Sequence, residues 1–222
     1  MALGWFLLFG ANFLPATTPS MRPFDIDLPH HVLKFSLPTE ITQKMSSLQV
    51  NKRFDPSDPS DPAFLRDKFI DLVSKSYQFD GPFWVGTYGW FQFSFSVVKR
   101  VPEASEDIST IEGLDRYVRW WSNNPPSDFN FDRSSLAGTT WLRRQKNTFG
   151  CEPKNDEQED TEIFSIPLDK KMFLQVVFRI SESVPGSAPK WKPQAEAFRE
   201  AIKTTIVLQP KAKPLQTSHT IQ

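Results

Sequence analysis

Residues 91–98 read FQFSFSVV. Phe91, Phe93, Phe95 and Val97 alternate with Gln92, Ser94, Ser96 and Val98, the period of two that marks a strand buried on one face. Around it, residues 83–101 carry the strongest strand signal in the chain. Gly81, Gly86 and Gly89 permit a turn or bulge ahead of it, and Pro102 closes it. A second signal runs through 161–168 and 172–181, a hairpin joined at Asp169, Lys170 and Lys171. Its second arm sets Met172, Leu174, Val176, Phe178 and Ile180 on one apolar face. These segments are expected side by side in one antiparallel sheet, sharing one hydrophobic interior.

Outward from that centre, VLKFSL at 32–37 alternates in the same way and reads as a strand ended by Pro38. The run DPSDPSDP at 55–62 is turn-rich, because a residue before proline avoids helix. Asp61 then suits an N-cap with Pro62 at the first helical position, and Leu65, Phe69, Leu72 and Ser76 share a face, so a helix is expected over 62–75. A second helix is expected over 110–122 from Ile111, Leu114, Val118 and Trp121, with Ser109 and Glu112 as a capping box and Asn-Asn-Pro-Pro as its stop. Short strands follow at 129–131 and 138–144, then an acidic loop at 152–160. A last helix at 194–203 turns Ala195, Phe198 and Ile202 inward and Glu196, Arg199, Glu200 and Lys203 to water, before a short strand at 206–208.

The order of elements gives an α+β class: an antiparallel β-sheet packed by two to three helices. Residues 1–31 read as an apolar leader and Pro-rich linker, 32–209 as a single domain, and 210–222 as a polar tail. The leader, MALGWFLLFGANFL, holds no charge and falls short of the roughly 20 residues of a membrane span. Three readings fit it: a signal peptide, the end of a membrane anchor, or an apolar arm packed on the domain.

Lys+Arg and Asp+Glu both number 26, so the chain has no net charge to draw it to nucleic acid. Cys151 is alone, which excludes an intramolecular disulfide. Neither phosphate-loop pattern is present, nor is the Gly-x-Ser-x-Gly elbow. His30 and His31 fall in the linker and His219 in the tail, and Asp55, Asp58 and Asp61 lack the spacing of a calcium loop. No catalytic residue, cofactor or metal ligand is therefore assigned, and whether the chain is an enzyme stays open. Candidates for partner binding are Arg119 and Trp120, of the types that dominate interface hot spots, and the acidic Glu152, Asp156, Glu157, Glu159 and Asp160, which would steer a basic partner. Trp120 is equally suited to pack under the 123–126 loop, and the acidic run to be a solvated connection. Arg143 and Arg144 point to opposite sides of one strand and are expected in solvent.

The strand carrying Trp141-Leu142, the hairpin EIFSIPLDKKMFLQVVFRI, Lys190-Trp191 and the helix AEAFREAIKTTIVL form a recurring pattern. Ile202, Thr205, Ile206 and Leu208 stand at its "I-x-x-[ST]-I-x-L" positions. Over roughly 83–209 the chain resembles immunity proteins to type VI secretion lipase toxins and PsbP-like lipoproteins of the bacterial envelope. No lipobox cysteine stands near the leader. The resemblance carries over no catalytic residues; with the missing catalytic motifs, the leader, the aromatic surplus and the acidic loop, it leads to the expectation of a non-enzymatic, periplasmic or membrane-anchored envelope protein that binds another protein, in its concrete form an immunity protein occluding a toxin encoded nearby, with membrane contact through residues 2–14. The alternative expectation is an enzyme or small-ligand binder whose site is assembled from scattered Asp, Arg and Trp residues.

Overall fold

Residues 19–28, 30–43, 69–102, 104–122, 129–149 and 158–211 are described by a computed structural model. The FQFSFSVV run lies in β4 (Thr87–Lys99), which pairs on one side with β3 (Phe69–Asp80) and on the other with β8 (Met172–Glu182). Beyond β8 follow β7 (Glu159–Pro167), β6 (Thr139–Asn147) and β5 (Asn130–Leu136), giving a six-stranded, wholly antiparallel sheet. A second, three-stranded sheet joins β1 (Met21–Asp27), β2 (His31–Pro38) and β9 (Val207–Pro210).

The expected adjacency of 91–97 and 161–181 holds: Phe91, Phe93, Phe95 and Val97 stand opposite Ile180, Phe178, Val176 and Leu174. All eight are buried in one cluster. The small sheet closes over it, with Phe35 and Phe95 ring centroids 4.4 Å apart. The last helix, α3 (Lys192–Lys203, numbered after α1, Thr39–Gln43, and α2, Ile111–Ser122), packs against β2, β4 and β8 and adds Ala195, Phe198 and Ile202. Burying each such large apolar side chain contributes about 1.5–3 kcal/mol.

Residues of the other parity face away from that cluster. At one end of this face, Val98, Leu142 and Phe173 meet Leu114, Tyr117 and Val118 of α2 in a second buried cluster. The cap of α2 is Thr110 rather than Ser109: the Gly113 N–H donates to Thr110 Oγ1 at 3.1 Å, while the Ser109 N–H donates to Asp107 Oδ1 at 2.9 Å. Among the described residues, no helix is long and apolar enough to cross a membrane.

Further expectations need correction. The Pro-rich stretch read as linker contributes β1, and Pro23 is tolerated there because β1 is an edge strand. The helix expected at 62–75 is strand from Phe69 onward, its earlier part lying outside the described residues. A register shift between Asp71 and Val73 turns Leu72 and Val73 inward together, and that bulge breaks the period of two that marks a strand. Glu159 and Asp160, read as loop, open β7. The leader at 1–14 lies outside the described residues, as does the tail beyond Lys211; Pro210 belongs to β9.

Candidate functional site

Among the described residues, α2 covers one side of the face of the large sheet that carries it. The helix sits over β6 and β7, and among the described residues the surface formed by β3, β4 and β8 bears a cleft of about 760 Å³. Its floor follows from the alternation that buries the phenylalanines on the far side. The residues between them are Gln92, Ser94 and Ser96, and the register sets neighbours beside each one. Asp71, Ser96 and Gln175 form one row across the strands, Ser74, Ser94 and Val177 the next, and Ser76, Gln92 and Arg179 a third. Trp121, half-buried at the end of α2, and the exposed Phe69 supply aromatic walls.

The chemistry of this floor is hydrogen bonding. Hydroxyls and carboxamides both donate and accept. Ser96 Oγ already donates to Asp71 Oδ1 at 2.6 Å, and Arg179 Nε lies 3.4 Å from Glu159 Oε1 at the rim. Among the described residues, the lining contains one carboxylate, Asp71, and neither histidine nor cysteine. Among the described residues, no group of three or more His, Cys, Asp or Glu could hold a metal ion.

On the opposite face the charged residues form a lock between α3 and the sheet. Arg199 Nη1 donates to Asp160 Oδ2 at 2.8 Å, and Lys203 Nζ donates to Glu162 Oε2 at 3.2 Å. Arg143 Nη1 reaches the other Glu162 oxygen at 3.3 Å and also binds Asp132. Burial opposes the charge on Arg199, but the attraction of Glu162 and Asp160, the hydrogen bond to Asp160 and the nearby Glu200 outweigh it and raise its pKa.

Arg144 is the exception. Only 7% exposed, it donates from Nη1 to Ser122 Oγ at 3.3 Å, while its Nε has no partner. Burial lowers its pKa to about 10. Its place by the last residue of α2 sets the charge at the negative end of the helix.

Of the residues singled out from sequence, Arg119 and Trp120 do sit together on the exposed side of α2. Arg119 binds Asp115 at 2.6 Å and lies over the Phe131 ring, and Trp120 is partly exposed beside Tyr117. Neither lines the cleft; their neighbour Trp121, which also packs against the second cluster, does. Asp160 is withdrawn from any partner by its burial against Arg199, and Glu159 stands at the cleft rim. Glu152, Asp156 and Glu157 lie outside the described residues. Arg199 and Arg144, both expected in solvent, are buried. The residues that build the cleft were present in the sequence as the polar half of the β4 alternation. No signal in one strand could show that β3 and β8 would extend it. No family model matches the chain, and neither a curated protein nor a solved structure matches it significantly.

Proposed function

We propose that this chain is a non-enzymatic binding protein that holds a segment of another protein in the open cleft over β3, β4 and β8. One observation carries this reading: the floor is built of rows of serine and glutamine side chains on rigid, hydrogen-bonded strands. Such groups match a polypeptide backbone, which offers N–H and C=O in alternation. Asp71 and Arg179, on different rows of the floor, set opposite charges that would fix the direction of the bound segment. A cleft of this size would form the centre of an interface of about 800 Å² on each partner. An immunity protein that occludes a toxin is one concrete form of this reading. The uncharged apolar run at 1–14 favours the cell envelope as the place of action.

The test is co-expression with the products of adjacent genes, followed by gel filtration of the parent chain and of Ser94→Arg, which fills the floor. A complex with one product that is lost in Ser94→Arg, with the variant's circular dichroism unchanged, supports the reading. No complex with any of them, or one indifferent to Ser94→Arg, removes it.

A second reading draws on the meeting of Asp71, Trp121 and Arg179 around one cleft, the residue types of a small-ligand site. It separates from the first by thermal shift. A soluble small molecule that raises the melting temperature of the parent chain but not of Ser94→Arg favours it.

A further inference from the structure

The β3–β4 hairpin turns through residues 81–86, Gly-Pro-Phe-Trp-Val-Gly, and its tip is apolar and bare. The Gly81 N–H donates to the Gly86 carbonyl at 2.7 Å, and the N–H groups of Val85 and Gly86 donate to the Pro82 carbonyl at 2.8 and 3.2 Å. Gly86 takes a φ of 78°, which a side chain would resist. Proline and glycine therefore account for the turn. They do not account for what it displays: Phe83 is 93% exposed and Trp84 76%, with their rings edge to face at 5.3 Å. Neither ring adds to a core, and neither residue is a turn former. The exposure holds two large apolar rings in water on a hydrogen-bonded support.

We propose that this tip is a membrane wedge that inserts Phe83 and Trp84 into the interfacial layer of a lipid bilayer. Three observations favour lipid over a protein partner. The tip is a protruding turn of six residues, and two projecting rings cannot furnish the broad complementary patch of a protein interface. A bilayer interface accepts a protruding Trp without matching its shape. From Gly81 to Trp90 no side chain is charged, so insertion drags no ion into the headgroups. The sequence also offers a second apolar segment at 1–14, too short for a span of about 20 residues. Single shallow anchors hold marginally and two hold stably. The flanking charges, Asp80 at the end of β3 and Lys190 above the Tyr88 ring, are of opposite sign, so attachment through the tip does not require anionic lipid.

The test uses the full chain with vesicles of phosphatidylcholine, with and without bromine on the acyl chains. The parent chain is expected to bind, and Phe83→Ser with Trp84→Ser to weaken partition by about tenfold or more. The melting temperature should stay unchanged, since neither ring is buried. Brominated lipid is expected to quench an emission component that vanishes in Trp84→Phe, a variant that still binds. Absence of vesicle binding, equal binding by the double variant, or a Trp84 component that brominated lipid leaves alone each overturns the proposal.

Discussion

Arg199 on α3 and Asp160 on β7 form a buried ion pair, Nη1 to Oδ2 at 2.8 Å, whose side chains are only 11% and 3% exposed. The pair ties the helix that bridges the two sheets to the large sheet. Glu162, two residues along β7, receives Lys203 and Arg143 as well. Removing one partner strands a charge away from water. Arg199→Ala is expected to lose about 3–5 kcal/mol in urea denaturation. Arg199→Met combined with Asp160→Leu should recover much of that, because replacing both ions with apolar groups removes the stranded charge.

Gly89 lies against the Trp191 ring so closely that a Cβ built there would stand 2.2 Å from its Cζ2 atom. Trp191 is held by its own contacts, Nε1 donating to Ser187 Oγ at 3.1 Å and the ring packing on Phe79. It has little room to retreat. Gly89→Ala is expected to destabilise by about 1–3 kcal/mol through overpacking. Adding Trp191→Phe should return part of the loss, read as a partial recovery of the denaturation midpoint.

Among the described residues no carboxylate pairs with Arg144, and burial lowers its folded-state pKa to about 10, below the ordinary arginine range. The folded chain therefore carries the desolvation cost in full well below pH 10 and sheds it as the pH climbs through about 10 toward the ordinary arginine range. Arg144→Met is expected to stabilise at pH 8 by an amount on the order of 1–3 kcal/mol. The advantage over the parent chain should shrink as the pH rises above about 10, measured as the difference in melting temperature. A variant less stable than the parent at pH 8 would show that the arginine holds an anionic partner.

How much of this was legible in the sequence depends on what each residue's neighbours were. The Phe91–Val97 alternation fixed both faces of β4 because burial and period are local properties of one strand. The same logic located the hairpin at 161–181 and the helix ending at Ser122. It failed at Leu72–Val73, where a bulge broke the period. It failed also at Arg199, Asp160 and Arg144, whose charge argued for water and whose partners lie on other elements, 39 residues away for the first two. The cleft was invisible for the same reason: it exists because α2 stops short of β3 and β4, a fact of packing between elements.

His31 opens β2, and burial, with His30 beside it, lowers its pKa below the ordinary 6.5. The unfolded chain therefore takes up a proton first as the pH falls. The folded state loses stability through and below pH 6.5, while above it His31 is neutral in both states and has no effect. His31→Gln is expected to lessen the drop in melting temperature between about pH 7.5 and 5.5 and to leave the value at the upper end unchanged.

The cleft is best interrogated through Trp121, whose indole can be followed by nitrogen–proton correlation in the intact chain and assigned with Trp121→Phe. On titration with a protein found to form a complex, the Trp121 indole resonance should shift and saturate with the binding curve while that of the buried Trp141 stays in place. A complete titration that leaves Trp121 unmoved would put the partner elsewhere on the molecule and contradict the assignment of the open sheet face as the binding surface.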